Sequence, residues 1–235
     1  MKKQLFYLLL IPLLLGTIKS HAQDKDSIAI VSQAWEKTIL REGITWKKAH
    51  FTDLFNSNQV INIVEIALTK NNLQKLGLEA LPQSRKKTSF LADSIKALAA
   101  INGGFFDMKN GGAVDFIKVN NKVINTTRAK SARANAYLAF NTQRLLLTAD
   151  SLQTLAFSNV LLAGPYLVEQ YKNSTLSKGA FNDNRHPRTA VAIKNNMLIL
   201  ITADGRNAQA AGLNLHELAN LLRWYGCSEA MNLDG

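Results

Sequence analysis

The sequence predicts an α+β fold: a mixed β-sheet core with helices packed on it, in a single domain. Three observations carry this. Strand-like segments outnumber helical ones, and their order is irregular, which argues against the regular alternation of a doubly wound sheet. Neither a Gly-rich dinucleotide fingerprint nor a Walker loop is present. Roughly 210 residues remain after a predicted leader, a length that suits one domain with its own core.

The leader comes first. Lys2 and Lys3 precede an apolar run from Leu5 to Leu15, and Ser20-His21-Ala22 follows with small residues at the positions a signal peptidase reads. That order predicts a secretory signal over residues 1–22, cleaved before Gln23. The run is too short for a comfortable membrane span, which takes about 20 residues. The expected location is therefore periplasmic or secreted, with no stable membrane span once the signal is removed. The competing reading is an uncleaved anchor.

Residues 23–42 read as an N-terminal helical segment and 43–235 as the main domain. Ile28, Val31, Ala34, Trp35, Thr38 and Ile39 recur at helical spacing, which predicts a helix over 27–40 ended by Gly43. Residues 44–51 and 59–68 read as strands; the second is nearly continuous in apolar residues, as in strands covered on both faces. Leu73 to Leu78 reads as a short strand or turn, Thr88 to Ala97 as a helix, and Leu98 to Ile101 as a strand. Residues 113–163 read as short strands with polar turns, among them Asn120-Asn121, and 129–136 as a small, basic loop. Lys172 to Pro187 is polar and reads as a long exposed loop, the kind that carries function. Thr189–Lys194 and Met197–Thr202 form a predicted hairpin turning at Asn195-Asn196. Leu215–Tyr225 is a predicted helix, with Asn214 and Glu217 spaced as a capping box and Gly226 as its stop. Strand character returns at Glu229–Leu233.

Charge and cysteine usage narrow the chemistry. The formal charge is +11; the predicted leader removes Lys2, Lys3 and Lys19 and no acid, leaving +8. A basic exported chain suits anionic partners, or simply solubility. No nucleic-acid motif accompanies it. Cys227 is the only cysteine, so neither an internal disulfide nor a cysteine zinc cluster is open to the chain. A buried thiol is the reading its helix-end setting favours.

Four clusters stand at predicted strand ends. Asn102-Gly103-Gly104-Phe105-Phe106-Asp107 pairs two glycines, which let a backbone come close to a ligand, with rings that stack on a sugar or fill a core. Gly164-Pro165 marks a turn. Arg185-His186-Pro187-Arg188 sets two guanidinium groups around an imidazole, and arginine grips phosphate or carboxylate in bidentate fashion. Asp204-Gly205-Arg206 and Asn232-Leu233-Asp234-Gly235 both read strand, Asp, Gly. One Asp-Gly is an ordinary turn; two, near two arginines, point to acids held at the ends of adjacent strands.

In this order the clusters resemble the phosphodiester glycosidase family, from about residue 43 onward. The resemblance implies hydrolysis of a sugar-1-phosphodiester, of the GlcNAc-1-phosphodiester kind, in exopolysaccharide or cell-envelope glycan metabolism. The family pattern runs on past Asn-Leu-Asp-Gly with more Gly and Ser and a closing strand, so the resemblance also implies a domain cut short at Gly235. Such a reaction passes through an oxocarbenium-like transition state that a carboxylate stabilises, and it releases a phosphate that needs charge neutralisation more than protonation. The expected roles follow. Asp204 and Asp234 supply nucleophile or base and its partner. Arg188, with Arg206, holds phosphate. Asn102, the Gly103-Gly104 backbone and Asn232 orient the substrate, and His186 is a lesser candidate for proton transfer. Glu217 is read as a cap, not a catalyst. No cofactor is required, and a divalent cation on Asp side chains is the one metal the sequence leaves open. The expected partner is a sugar phosphodiester or glycan, not nucleic acid. Two other readings stay open: a non-catalytic carbohydrate-binding or polysaccharide-assembly module, and a phosphodiesterase that cuts the P–O bond.

Overall fold

Two antiparallel sheets face each other, and helices cover the far side of the larger one. The structure is a computed structural model describing residues 25–128 and 130–235, so the predicted leader lies outside the described residues. The chain opens with helix α1 (Lys25–Ser32) and strands β1 (Glu36–Arg41), β2 (Ile44–Leu54) and β3 (Ser57–Ala67). Short helices α2 (Lys70–Leu73) and α3 (Thr88–Ser94) follow. Next come β4 (Ile117–Val119), β5 (Lys122–Asn125), β6 (Ala136–Phe140), β7 (Leu145–Thr148), β8 (Asn159–Ala163), β9 (Tyr166–Glu169) and β10 (Lys172–Asn173). Helix α4 (Ala180–Asp183), β11 (Arg188–Lys194), β12 (Met197–Ala203), α5 (Leu215–Trp224) and β13 (Glu229–Asn232) complete it. The large sheet runs β1-β2-β3-β12-β11-β13-β9-β10 and the small one β5-β4-β8-β6-β7. This is the α+β class the sequence predicts.

The central strands are covered on both faces, as their apolar runs require. In β12, Ile199 and Ile201 face the helices, where they meet Ile30 of α1 and Leu215, Leu218 and Leu222 of α5. Leu198 faces the small sheet and packs with Leu138, Phe140 and Leu161. Each such side chain contributes roughly 1.5–3 kcal/mol on burial. Helix α5 is held at its start by the expected capping box: Asn214 accepts from the Glu217 amide, and Glu217 accepts from the Asn214 amide. Gly226, at φ +94°, ends it. Cys227 is buried beneath, and burial raises its pKa to about 12, so the thiol is inert.

The predicted helix over 27–40 is corrected. It stops at Ser32, and Glu36–Arg41 forms an edge strand paired to β2, with Thr38 opposite Trp46. The helical spacing found there has no core to serve, since Ile39 is 77% exposed. Gly43, at φ +71°, turns a hairpin and does not end a helix. Leu73 to Leu78 takes the turn alternative, at Gln74-Lys75 after α2, and Leu98 to Ile101 belongs to no named strand. The predicted loop from 172 is interrupted by β10 and α4.

A half-buried ionic node ties β2 and β3 to the end of α5. Lys47 Nζ lies 2.7 Å from Glu65 Oε2, and the Tyr225 hydroxyl donates to Glu65 Oε1 at 2.6 Å. Burial acts to raise the pKa of Glu65, but the bonds from Lys47 and Tyr225 outweigh it and the net shift is downward. A depressed carboxylate stabilises the fold above its ordinary value of 4.5, and that stability is lost as pH falls through the lower folded value. Glu65→Gln is therefore expected to cost about 1–3 kcal/mol at neutral pH and much less in acid. Melting curves from pH 7 to pH 3 check this; parallel curves for wild type and variant would refute it.

Candidate active site

The site sits where β11 begins and its two neighbours end. β11 lies between β12 and β13 and runs antiparallel to both, with Arg188 opposite Ala203 and Ala190 opposite Asn232. Asp204 and Asp234 therefore emerge on either side of the first residue of β11. The expectation that they end adjacent strands is corrected: one strand intervenes, which puts their backbones roughly 10 Å apart.

The glycine after each aspartate has a physical reason. A Cβ on Gly205 would lie 2.7 Å from Pro187 N, and one on Gly235 would lie 2.5 Å from Pro187 O. The two Asp-Gly pairs thus pinch the Pro187-Arg188 segment from opposite sides, so closely that only glycine fits.

Arg188 is 4% exposed. Its Nε donates to Leu213 O at 2.9 Å, and its Nη2 donates to Phe181 O at 2.7 Å and Asn184 O at 2.9 Å. Its guanidinium lies 5.3 Å from the Phe181 ring centroid. Among the described residues no carboxylate pairs with it. Burial, then the nearby Arg206, lowers its pKa to about 10. Arg206 is exposed, and its Nη2 is 2.7 Å from His186 Nδ1. Burial and both arginines lower the pKa of His186, which stays neutral near pH 7 and accepts from Arg206. The other arginine of the motif, Arg185, is structural: it is bound to Glu217 at 2.5–3.1 Å, to Ser57 and to Phe55 O.

The remaining motifs close around this point. The Asp234 amide donates to Gly103 O at 2.9 Å, which joins the Asn-Gly-Gly segment to the end of β13. Asn232, 1% exposed, donates through Nδ2 to Gly164 O at 2.9 Å, and its buried Oδ1 has no partner among the described residues. The Gly164–Pro165 peptide bond is cis. Asn102 is exposed, and its carboxamide oxygen accepts from Thr88 Oγ1 at 2.5 Å, so it anchors the start of α3 as well as edging the site. Burial pushes the pKa of Asp234 up, against a lowering bond from Gly235.

Two residues outside the predicted clusters, Arg133 and Asp115, stand close by, together with Phe105 of the Gly-Gly-Phe-Phe segment. Arg133 lies 4.6 Å from the Phe181 centroid, on the ring that also receives Arg188, and Phe105 meets that ring edge-on at 5.9 Å. Asp115 lines a pocket of about 190 Å³ beside Gly103, Gly104, Phe105 and Phe106, and burial raises its pKa. The small, basic composition of 129–136 was the only sequence signal for Arg133. A larger cavity of about 560 Å³ opens between the sheets next to Asn102 and Gly103 and is lined mainly by apolar side chains. Among the described residues no three His, Cys, Asp or Glu side chains gather closely enough to hold a metal ion.

The chain is similar to several known proteins. The crystal structure of a hypothetical protein from Synechocystis superposes with a TM-score of 0.68 at 16% identity, over 86% of this chain and 58% of the other. The catalytic domain of zebrafish N-acetylglucosamine-1-phosphodiester alpha-N-acetylglucosaminidase, auto-inhibited by its pro-peptide, superposes with a TM-score of 0.65 at 20% identity, over 86% of this chain and 71% of that one. At these identities the likeness is one of fold. The SPbeta prophage-derived uncharacterized protein YomE of Bacillus subtilis is 31% identical over 90 residues; this chain covers 37% of itself in the match and 14% of that protein's length. The phosphodiester glycosidase family model matches residues 96–235, the stretch that contributes every residue of the cluster, and the chain belongs to that family.

Proposed function

We propose that this protein is an exported hydrolase that cleaves a sugar-1-phosphodiester, of the GlcNAc-1-phosphodiester kind, in exopolysaccharide or cell-envelope glycan metabolism. The observation that carries the reading is Arg188, a buried cation with no acidic partner among the described residues. A buried charge left unpaired is costly, and an anionic ligand supplies the missing partner. Phosphate on Arg188 and Arg206 leaves the anomeric carbon on the Gly103 side, next to Asp234. In this reading Arg188 and Arg206 neutralise the departing phosphate. Asp234 faces the developing oxocarbenium ion as nucleophile or base, and Asp204 is its partner. The pocket beside Gly103–Phe106 receives the sugar, and neutral His186 orients Arg206. Export rests on the predicted leader. Among the described residues no helix is long and apolar enough to cross a membrane.

Hydrolysis in oxygen-18 water tests the reaction. The C1–O bond breaks, water supplies the new hydroxyl, and phosphate leaves on the other fragment. Label is expected in the released sugar. Label in the phosphate would mean P–O cleavage. Tight binding of the diester by folded protein without release would favour the binding-module reading.

A further inference from the structure

The reaction at Asp234 makes no use of the outer face of the small sheet, yet that face is built with care. β6 alternates: Leu138 and Phe140 point to the large sheet, Tyr137 and Ala139 outward. Tyr137, Phe116 and Phe157 form an outer aromatic cluster, and each ring is 2% exposed or less. Cations lie over all three. Arg128 sits 3.6 Å from the Phe116 centroid, Lys130 5.9 Å from Tyr137 and Arg144 4.6 Å from Phe157. Lys118 is close enough to Arg128 that this charge adds to burial in lowering its pKa.

The charge balance here is one-sided. Residues 113–163 hold Lys118, Lys122, Arg128, Lys130, Arg133 and Arg144 against Asp115 and Asp150; Lys122, opposite Val119, lies on the inner face and is not part of the outer row. Neither carboxylate serves these cations: Asp150 accepts from the Leu152 amide, and Asp115 lines the pocket beside Gly104. None of the six cations forms a salt bridge among the described residues. The row also starts at the site. Arg133 shares the Phe181 ring with Arg188, Phe181 meets Phe105, and Phe105 packs against the outer cluster. It ends at Arg144 in the β6–β7 turn, one strand length of roughly 17 Å from the site end.

Like charges gathered without counter-charges repel, and a ligand carrying regularly spaced anions relieves that repulsion. We infer that this face is a binding track for a polyanionic glycan whose repeating units carry phosphate, leading to Arg188. Its end point rests on the glycosidase reading; the track itself does not. A bilayer is the poorer match for the cation row, because the three rings beneath it are buried, and the exposed apolar side chains nearby are limited to Leu152 and Leu155 in the segment before Phe157 among the described residues 145–163. Single-stranded nucleic acid is poorer too, since it binds by stacking on open rings.

Binding of poly(N-acetylglucosamine 1-phosphate) over a salt series tests the track. The wild type is expected to bind it and not neutral dextran. In Arg128→Gln/Arg144→Gln the affinity should fall roughly tenfold or more, and the log–log salt slope should lose about 0.7 per cation removed. Arg128→Lys/Arg144→Lys should restore the slope, which separates lost charge from lost cover over the rings. Hydrolysis of a single-unit sugar-1-phosphodiester should be unchanged in both variants. Polymer binding by the glutamine variant equal to wild type overturns the inference, as does tighter wild-type binding to phosphatidylglycerol vesicles or single-stranded DNA. If the wild type binds the polymer but leaves the single-unit diester intact, the glycosidase reading fails and the track stands.

Discussion

Asp234→Asn is expected to lower kcat/KM on a sugar-1-phosphodiester by about 10²–10⁴ while leaving the fold at least as stable. The two halves of that expectation have one cause. The Asp234 carboxyl is half-buried, and burial raises its pKa. An acid with a raised folded pKa penalises the folded state once pH exceeds its ordinary value of 3.8, because the buried carboxylate is charged. Asparagine keeps the shape and removes the charge, so the melting temperature at pH 7 should hold or rise. In the proposed reaction the same carboxylate, tied to Gly103 through its own amide, faces the oxocarbenium ion, so turnover should collapse. The acid limb of the wild-type pH–rate profile should lie above the range of an ordinary aspartate and should vanish from the residual rate of the variant. Turnover close to wild type would remove Asp234 from the mechanism.

The second large effect is expected at Arg188. Arg188→Lys keeps the charge but loses the planar fork that reaches Leu213, Phe181 and Asn184 together while lying on the Phe181 ring. A loss of about 10²–10³ in kcat/KM is expected, the range seen when one preorganised charge-stabilising donor is removed. Stability should fall as well, because the buried Leu213 carbonyl left without its Arg188 donor costs about 1–3 kcal/mol. Inorganic phosphate separates the two roles. It should raise the melting temperature of the wild type by mass action and fail to do so in Arg188→Met. Arg206 is exposed and, among the described residues, its side chain bonds to His186, so Arg206→Met should weaken the phosphate effect with little change in baseline melting temperature. An undiminished phosphate shift in Arg188→Met would show that the buried cation anchors backbone and nothing more.

The site was more legible than the fold around its edges. The capping box at Asn214 and Glu217 is a local device, so spacing alone revealed it, and the reading of Glu217 as a cap agrees with its bonds to Asn214 and Arg185. The hairpin at Asn195-Asn196 and the strands of the large sheet's centre were legible for the same reason: both faces are buried, so the apolar run is continuous. The error over 27–40 arose where that logic fails. β1 is an exposed edge strand, and without burial its apolar residues carry no periodicity worth reading. Arg133 and Asp115 were missed because neither belongs to a motif; Arg133 matters only because the Phe181 ring brings it to Arg188.

The sequence by itself determined the class of the fold, the order of the motifs and the family they resemble, because turns, caps and apolar runs are written in neighbouring residues. Only the tertiary structure decided what those motifs do to one another. It put β11 between the two Asp-Gly ends, closed both glycines onto Pro187, and buried Arg188 with no acid beside it among the described residues. These outcomes depend on strand order and register, which place residues far apart in the chain at one sheet edge.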